Sequence, residues 1–392
     1  MLTPSQDNLE VVFMAQIVVI GAGTAGASTA KALRKKLDAT HRVIVIERDE
    51  VVYFPPTFIW LVVGKRKLRE TGIPTVKLRS SGIEVIIDTV NSVDINQNIV
   101  VYNGTILPYD YLVLALGAEV RDNEDEALRS VGYNMYTIDG VFALRERVRR
   151  LKQGRVVIMA TSMPFKCPPA LYEMALLLEE WFSSRPDTAV EIHLYTPEKT
   201  PFEATGWKLG AALEEILQAR KIHLHTDQHY ISVDPEGKTI SFTSGQVPFD
   251  LLVYVPPHRP PTLASMTGLA DESGWIPVDP FTLETRRSNV YAVGDVNRIT
   301  PTSGLDLPKT GAYATFQGKV VADHIISKIK QRPPERFFGT KSGCIIETSK
   351  TTSLGMLHDL YKPTPQSVVF PESRVWTPGK WVLEKVWFGN HQ

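Results

Sequence analysis

The stretch Ile17-Val18-Val19-Ile20-Gly21-Ala22-Gly23-Thr24-Ala25-Gly26 decides the fold of this chain. Its first four residues are β-branched, which is typical of a buried strand in a parallel sheet. Three glycines follow at GxGxxG spacing, and residues 27–35 continue in a helical pattern. The first glycine permits a tight turn, the second lets the backbone approach a pyrophosphate, and the third lets helix and strand pack closely. The stretch therefore predicts a strand, turn and helix that hold a dinucleotide at the helix N-terminus.

Two acidic residues at strand ends support this interpretation. A second apolar strand, predicted over residues 43–46, ends in Glu47. An acid about twenty positions beyond the last glycine suits the hydroxyl pair of a ribose. Further on, the apolar strand pattern of residues 289–293 ends in Gly294 and Asp295. A small residue there lets the backbone approach a ligand, and the acid can accept from a sugar-alcohol hydroxyl, although a simple turn aspartate also fits.

Composition excludes several classes of protein. The 392 residues carry 43 basic and 43 acidic side chains, and this balance with no basic run argues against a nucleic-acid surface. The longest apolar runs are far shorter than the roughly 18 residues that a membrane-spanning helix needs. Residues 1–13 are polar and lack the apolar core of a signal peptide, so we interpret them as an expression leader or a misplaced start before Met14.

A second strand pattern, Val156 to Ala160, opens what looks like another copy of the same unit, but its glycines are missing. The segment Thr161-Ser162-Met163-Pro164-Phe165-Lys166-Cys167-Pro168-Pro169 stands in their place. A Pro-Phe-Lys loop cannot bring its backbone as close to a pyrophosphate as glycines can. The next strand, predicted over 190–195, ends in Thr196-Pro197 and not in an acid. The second unit is therefore predicted to have lost a nicotinamide-dinucleotide cradle.

An internal repeat sets the domain organisation. Residues 107–117 resemble residues 247–256, and each segment follows a β-hairpin pattern. We therefore predict an α/β fold with two Rossmann-like nucleotide-binding domains, the second inserted in the first, and a small C-terminal domain. The predicted limits are a leader at 1–13, a discontinuous first domain at 14–120 and 280–325, a second domain at 121–279, and a C-terminal region with a redox cysteine and an acceptor or membrane surface at 326–392.

With these motifs in this order, the chain resembles the flavoproteins with two dinucleotide-binding domains. The resemblance covers nearly all of residues 14–325 and implies noncovalent FAD, with Asp295 at the ribityl chain. It also suggests that the aromatic-proline turn of residues 53–56 lies near the isoalloxazine. The residues that it assigns to the cofactor are Gly21, Gly23, Ala25, Gly26, Glu47, Arg48, Pro55, Pro56, Ala115, Gly117, Gly294, Asp295, Lys309, Thr310 and Gly311.

Three further segments indicate a branch of that group. Residues 166–173 look like the cysteine segment of sulfide:quinone oxidoreductases and of the flavoprotein subunit of flavocytochrome c sulfide dehydrogenase. Residues 307–311 resemble their segment beside the flavin pyrimidine ring, and residues 338–344 fall where both carry a second redox cysteine. The resemblance implies that Cys167 and Cys344, the only cysteines of the chain, face each other at the flavin. It implies oxidation of sulfide to polysulfide or zero-valent sulfur, with electrons passed through the flavin to a membrane quinone.

The chemistry of such a pair needs thiolates near neutral pH. A disulfide between the cysteines could be attacked by sulfide, which releases a thiolate that can pass two electrons to the flavin. Lys166 and a helix start at Pro168-Pro169 predict a lowered pKa for Cys167. Glu173 could handle protons or be an exposed carboxylate of the first helical turns. Lys309 could stabilise reduced flavin or be a surface lysine.

The electron acceptor is the least determined part. Aromatic and aliphatic residues between Trp376 and Phe388 suit a membrane interface, although Glu384 and Lys385 interrupt the apolar pattern, and a packed tail or a homo-oligomer contact would also explain them. Tyr313 and Phe316 are candidates to line a quinone site, and core packing explains them equally well. The alternatives are a cytochrome c acceptor or a type II NADH:quinone oxidoreductase. We predict no metal site, because the His223 and His225 pair lacks further ligands.

Overall fold

The computed structural model describes residues 14–335 and 341–392, and within them helices and strands alternate. Part of the predicted second-cysteine segment, residues 338–340, and the predicted leader lie outside these described residues. The first part of the chain contains the elements β1 (Gln16–Ile20), α1 (Thr24–Lys36), β2 (Arg42–Glu47), β3 (Val51–Tyr53), α2 (Thr57–Val62), β4 (Gly72–Pro74), β5 (Glu84–Ile87), β6 (Val90–Asp94), β7 (Ile99–Tyr102), β8 (Thr105–Pro108), β9 (Tyr111–Leu114) and β10 (Glu119–Val120).

The middle of the chain continues with the same kinds of element. They are α3 (Glu126–Val131), β11 (Gly132–Asn134), α4 (Ile138–Arg150), β12 (Gln153–Ala160), α5 (Pro169–Ser183), β13 (Ala189–Tyr195), α6 (Trp207–Ala219), β14 (His223–His225), β15 (Tyr230–Asp234), β16 (Thr239–Phe242), β17 (Gly245–Pro248), β18 (Leu251–Val255), β19 (His258–Arg259) and α7 (Thr262–Met266).

The last part returns to the first sheet and ends in a separate antiparallel sheet and a helix. Its elements are β20 (Ile276–Pro277), β21 (Val290–Ala292), β22 (Asn297–Arg298), α8 (Gly311–Ile329), β23 (Lys341–Glu347), β24 (Ser353–Asp359), β25 (Gln366–Ser373) and α9 (Thr377–Asn390). Short 3₁₀ turns lie at Leu68–Glu70, Thr75–Ser81, Asp122–Glu124, Glu203–Thr205 and Gly294–Val296.

Two five-stranded parallel sheets share one topology. The first has the order β21–β9–β1–β2–β5, and the second has the order β11–β18–β12–β13–β14. In each, the strand before the phosphate-loop position, β1 or β12, is central. Each sheet is accompanied by an antiparallel three-stranded meander, β6–β7–β8 or β15–β16–β17, whose register shifts at the matching place. The internal repeat and the two Rossmann-like units predicted from the sequence are therefore confirmed.

The insertion is visible in the strand pairing. β21 lies parallel to β9 in the first sheet, although the whole second sheet stands between them in the sequence. The exact residue limits of the domains stay predictions. The strand pairing shows which strands belong to each sheet, but it does not show where in the connecting loops one domain ends and the next begins.

Burial explains why the sheets form. In β1 the residues from Ile17 to Ile20 are all buried, because one face of the strand packs against α1 and α8 and the other packs mainly against the β6–β7–β8 meander. The helices α1 and α8 pack against each other over the first sheet. The strands β23 and β24 add Ile346, Leu354 and Met356 to the core that surrounds α5. The C-terminal sheet is thereby fixed beside the start of α5, where Cys167 lies.

Candidate active site

The glycine loop between β1 and α1 has the geometry that its sequence predicts. Gly21 has φ +101°, and a Cβ there would lie 2.4 Å from the carbonyl oxygen of Ala115. A Cβ on Gly26 would lie 1.9 Å from the carbonyl oxygen of Gly21, so neither position can carry a side chain. A Cβ on Gly23 would meet nothing within 4 Å. Gly21 and Gly26 therefore serve packing, whereas Gly23 faces open space where a ligand can approach the backbone.

That open space is a cavity of about 670 Å³. It lies at the carboxyl end of the first sheet and extends from the glycine loop to the loop that precedes α5. Most of the residues predicted to bind the cofactor line it: Gly21, Gly23, Ala25, Glu47, Arg48, Pro55, Pro56, Ala115, Gly117, Gly294, Asp295, Lys309 and Gly311. Cys167 lines the same cavity.

The remaining predicted residues lie outside the lining. Gly26 serves the packing described above, and Thr310 caps α8, where its hydroxyl accepts from the N–H of Tyr313 at 3.4 Å. Tyr313 is itself buried, with its hydroxyl oxygen 2.9 Å from Nε2 of His358. Phe316 is partly exposed on α8. The quinone role of Tyr313 and Phe316 stays a prediction.

The cavity suits a dinucleotide flavin. The unobstructed face of Gly23 lies at the start of α1, where backbone N–H groups and the helix dipole favour a pyrophosphate. The Glu47 carboxylate accepts from the N–H of Ala22 at 2.6 Å and from that of Asp49 at 3.1 Å, which fixes it at the cavity edge. Asp295 lines the opposite part. The residues present therefore fit FAD, and the contact of Glu47 and Asp295 with its hydroxyl groups stays a prediction.

Lys309 braces the cavity wall. Its ammonium donates to the carbonyl oxygens of Asp295 at 2.6 Å and of Asn297 at 3.2 Å, and it lies 3.6 Å from the ring centre of Trp275. Burial lowers its pKa to about 8, against the opposing effect of Asp295. Lys309 is thus a buried residue of the site, and the surface-lysine interpretation is wrong.

Cys167 is held in a constrained turn. Its φ of +53° lies in the left-handed region that non-glycine residues rarely adopt. Its N–H donates to the carbonyl oxygen of Lys309 at 2.7 Å, and its own carbonyl oxygen accepts from the N–H of Ala170 at 2.9 Å. The helix α5 begins at Pro169, as the two prolines predict. These bonds tie the cysteine loop to both α5 and the segment before α8.

Cys344 lies on β23, which contacts the helix α5 that follows Cys167. Both are free thiols, and both pack against the core around α5. Burial raises the pKa of each thiol to about 12. Cys167 contributes to the raised pKa of Cys344, so the two groups interact electrostatically. The 177-residue separation in sequence is therefore bridged in the fold.

The prediction that the pKa of Cys167 is lowered is wrong. The prediction that Lys166 is the cation acting on this thiol is also wrong. Desolvation outweighs the helix start, and the pKa is raised. Lys166 is itself buried, which lowers its own pKa, and its ammonium lies 6.0 Å from the ring centre of Tyr136. The cation that lowers the pKa of both thiols is Lys380 of α9.

Lys380 belongs to a buried ionic cluster that the sequence did not reveal. Its ammonium lies 2.6 Å from Oε1 of Glu173 and 3.3 Å from Oε2 of Glu347. The other oxygen of Glu347 binds Lys65 at 2.9 Å. Glu347 also accepts from the indole N–H of Trp60, and its N–H donates to Glu173 at 2.8 Å. Four charges thus neutralise one another beside the thiols.

The charges in this cluster respond to one another. Burial raises the pKa of Glu173, and Lys380 only partly opposes this. Burial alone would also raise the pKa of Glu347, but Lys380 and Lys65 more than offset it, and the pKa is lowered. Burial alone would lower the pKa of Lys380, yet the two carboxylates raise it above its ordinary value. Glu173 is therefore the member of the cluster best suited to take up a proton, and its interpretation as an exposed carboxylate is wrong.

The segments that follow β12 and β13 in the second unit differ from the glycine loop and Glu47 of the first unit. Phe165 and Phe202 are buried. The hydroxyl of Tyr172 donates to Glu198 at 2.6 Å, and this carboxylate lies just beyond the end of β13. The only acid at that strand end is thus buried and engaged within the protein. This agrees with the missing glycines of the loop after β12.

The helix α9 presents an apolar face outward. Its exposed large side chains are Trp381, Val382, Leu383 and Val386. Glu384 instead points inward and binds Arg66 through two bonds of 2.9 and 2.7 Å. Glu384 therefore does not interrupt the outer face, whereas Lys385, the other residue expected to do so, is exposed on it. Among the helices that the structure describes, none has the length and apolar character needed to cross a bilayer.

Comparison with known proteins agrees with this geometry. The model of the pyridine nucleotide-disulphide oxidoreductase family matches residues 15–161 and 172–318. The mitochondrial sulfide:quinone oxidoreductase of Mus musculus is 25% identical over 346 residues, covering 83% of this chain and 74% of that protein. The corresponding protein of Dictyostelium discoideum is 24% identical over 413 residues, covering 96% and 87%.

A solved structure shows the same fold. The sulfide:quinone oxidoreductase from the hyperthermophilic bacterium Aquifex aeolicus matches with a TM-score of 0.86 at 22% identity, covering 96% of this chain and 91% of that one. The family match covers both nucleotide-binding units, and the cavity in the first unit fits a flavin. The chain therefore belongs to the pyridine nucleotide-disulphide oxidoreductase family, and it is a flavin-dependent oxidoreductase.

Proposed function

We propose that this protein oxidises sulfide at Cys167 and Cys344, with noncovalent FAD in the cavity and a membrane quinone as the final acceptor. The observation that carries the proposal is that Cys167 lines a cavity that fits a flavin, while Cys344, from a distant part of the chain, packs against the same core and interacts electrostatically with it. The similarity to sulfide:quinone oxidoreductases from animal, amoeba and bacterium supports the choice of substrate.

The proposed reaction starts from the cysteine pair in its disulfide form. Hydrosulfide attacks one sulfur, so that one sulfur–sulfur bond forms and the bond between the cysteines breaks. The released cysteine leaves as a thiolate that carries the electron pair. FAD, when bound, supplies a two-electron acceptor beside Cys167. When two electrons pass to that acceptor and one proton is lost, the thiolate and the persulfide would join as a bridging sulfur chain. A second hydrosulfide would attack this chain, lengthen it and free a cysteine thiolate again. Attack of that thiolate on the cysteine-bound sulfur would then expel hydropolysulfide and re-form the disulfide.

The buried cluster gives the released thiolate a counter-charge. A thiol whose pKa is about 12 holds its proton at neutral pH, so a thiolate formed here needs stabilisation. Lys380 supplies it, because its ammonium lowers the pKa of both thiols. Glu173, hydrogen-bonded to that ammonium, can accept the proton that the incoming sulfur loses. Lys380 and Glu173 thus support thiolate release and proton removal.

Several features support noncovalent flavin and a quinone acceptor. The sequence holds cysteines only at 167 and 344, and the pair is used in the reaction, so neither remains for a flavin linkage. The outer face of α9 carries a tryptophan and three aliphatic side chains, as helices that lie in a membrane interface do. Apolar side chains of the neighbouring sheet, Leu357 and Val368, are also exposed. We propose that this C-terminal region docks on the membrane and receives the quinone.

Anaerobic titration of the purified protein tests the proposal. The visible absorbance band of oxidised flavin is followed during addition of sulfide and, separately, of NADH. Bleaching by sulfide alone, reversed by a short-chain quinone, is the expected result. Bleaching by NADH alone would overturn the proposal and favour a type II NADH:quinone oxidoreductase. Bleaching by sulfide that only cytochrome c reverses would keep the cysteine chemistry and refute the quinone acceptor.

A further inference from the structure

The last turn of α9 contacts the glycine loop of the flavin cavity. The indole Nε1 of Trp387 donates to Oγ1 of Thr24 at 3.0 Å. The imidazole Nε2 of His391 lies 2.9 Å from the carbonyl oxygen of Ala22. Both side chains are almost fully buried, Trp387 at 3% and His391 at 1% exposure. Nδ1 of the same ring lies 2.8 Å from the carbonyl oxygen of Trp387, so the ring bridges two backbone acceptors, one on α9 and one on the glycine loop.

These contacts hold the peptide groups on either side of Ala22. Its N–H donates to Oε2 of Glu47 at 2.6 Å, and its carbonyl oxygen faces His391. Gly23 follows directly, and its open side faces the cavity. A side chain from β2 therefore holds the Gly21–Ala22 peptide, and the residue that caps the C-terminal helix holds the Ala22–Gly23 peptide. The orientation of these peptide groups in turn sets the direction of the backbone N–H groups that would bind a pyrophosphate.

Trp387 also joins two walls of the cavity. Its ring packs on Phe54 at 5.1 Å between centroids and on His391 at 3.9 Å. Phe54 and Thr24 both line the cavity, on the aromatic-proline turn and on the glycine loop respectively. One indole thus contacts the turn beside the flavin ring position and the loop beside the pyrophosphate position. The indole N–H therefore links the C-terminal helix to the glycine loop, in addition to the packing of the ring in the core.

We propose that Trp387 and His391 are positioning residues of the flavin site, which hold the glycine loop in the shape that binds the FAD pyrophosphate. The proposal rests on flavin dependence and not on sulfide as the substrate. The C-terminal helix, which is remote from the glycine motif in sequence, is in this view a structural part of the cofactor site. Loss of either contact should weaken FAD retention without removing any group that takes part in the redox reaction.

The test is the rate of FAD release from the holoprotein, followed by the rise of flavin fluorescence after dilution. His391→Ala removes the contact to Ala22, and Trp387→Phe keeps an aromatic ring on Phe54 but removes the donor to Thr24. One lost buried hydrogen bond corresponds to about tenfold in an equilibrium constant, so we expect roughly tenfold faster release from each variant. The control Trp381→Phe changes the exposed tryptophan of the same helix and should release FAD at the wild-type rate.

Two further variants separate positioning from general loss of folding. His391→Gln retains a side-chain N–H donor and should release FAD more slowly than His391→Ala. Combined with Thr24→Val, the effect of Trp387→Phe should largely disappear, because both changes remove the same bond. Wild-type release rates in His391→Ala and Trp387→Phe, or additive effects in the double variant, would overturn the proposal.

The outcome is independent of the proposed substrate. Sulfide-dependent bleaching is measured separately on the wild-type protein and on the Trp381→Phe control, which should bleach at the same rate. If sulfide reduces neither protein but His391→Ala still releases FAD faster, the positioning role stands and the proposed function fails. If release is unchanged while sulfide reduces both proteins, the positioning role fails and the proposed function stands.

Discussion

The ammonium nitrogen of Lys380 lies 2.6 Å from Oε1 of Glu173, and both side chains are buried beside the cysteine pair. Glu347 shares the same ammonium at 3.3 Å, and Lys65 completes a cluster of two cations and two carboxylates. Taking charges out of water is unfavourable unless each finds a partner. The cluster therefore makes the start of α5, the strand β23 and the helix α9 depend on one another at the place where the proposed chemistry occurs.

Replacing Lys380 with Met should impair both stability and reaction. Breaking a buried ion pair by removing one partner costs about 3–5 kcal/mol, and here two carboxylates lose a shared cation. The released thiolate also loses its counter-charge, so sulfide-dependent flavin reduction should slow at least about tenfold. Urea unfolding and stopped-flow absorbance measure the two effects. Lys385→Met, on the exposed side of the same helix, is the control and should change neither quantity.

Glu173→Gln separates the two chemical roles proposed for the cluster, which are stabilisation of the thiolate and acceptance of a proton. This change removes a negative charge that raises the pKa of both cysteines, so it should not destabilise a thiolate. It removes the proposed proton acceptor, however. We expect slower sulfide-dependent reduction at neutral pH, partly recovered at higher pH, where the persulfide formed by the attack loses its proton to solvent more readily. A rate equal to that of wild type at every pH would exclude proton transfer by Glu173.

The cysteines should be needed for reduction but not for the cofactor. Cys167→Ser and Cys344→Ser keep the glycine loop and the cavity, so both variants should purify with FAD. Neither can form the disulfide that sulfide attacks, and bleaching by sulfide should be abolished in each. The flavin content at purification and the anaerobic sulfide titration are the measurements. A wild-type reduction rate in either variant would contradict the disulfide mechanism.

Local sequence patterns were sufficient for the fold and for most of the flavin cavity. The GxGxxG spacing indicates close contacts between residues that are near each other in the sequence, such as the contact of Gly26 with Gly21. The repeat of strand, meander and strand identified both sheets. These features depend on short-range geometry, which is why thirteen of the predicted cofactor residues line one cavity.

The ionic cluster could not be predicted in this way. Glu173 stands within the apolar run of α5, and this position indicates that a buried partner must exist. Nothing local identifies that partner, because Lys380 lies 207 positions away in a tail whose apolar residues suggested a surface helix. The thiol pKa was mispredicted for the same reason. Desolvation depends on the whole fold, whereas Lys166 and the helix start were visible in sequence.

The burial of His358, whose Nε2 lies 2.9 Å from the hydroxyl oxygen of Tyr313, should make the stability of the protein depend on pH. Burial lowers the pKa of His358 to about 4, against 6.5 for its ordinary value. Between these values the unfolded chain binds a proton that the native state does not, so stability falls as pH falls from 6.5 to 4. From pH 7 to pH 5 this group should cost about 2 kcal/mol of unfolding free energy. Urea unfolding of wild type and His358→Gln at both pH values checks this, and an equal pH dependence would contradict it.

Membrane binding should depend on the outer face of α9. Val382 and Val386 are 56% and 43% exposed, and a carboxylate at either position would have to enter the lipid interface with the helix. We expect Val382→Glu with Val386→Glu to abolish co-sedimentation with phosphatidylcholine and phosphatidylglycerol vesicles, while FAD content and sulfide-dependent bleaching in solution stay unchanged. Trp207→Glu is the matched control, because this tryptophan is 72% exposed on α6 of the second unit. Equal loss of binding in the control would show that exposed apolar residues bind vesicles non-specifically, and retained binding in the double variant would place the membrane contact elsewhere.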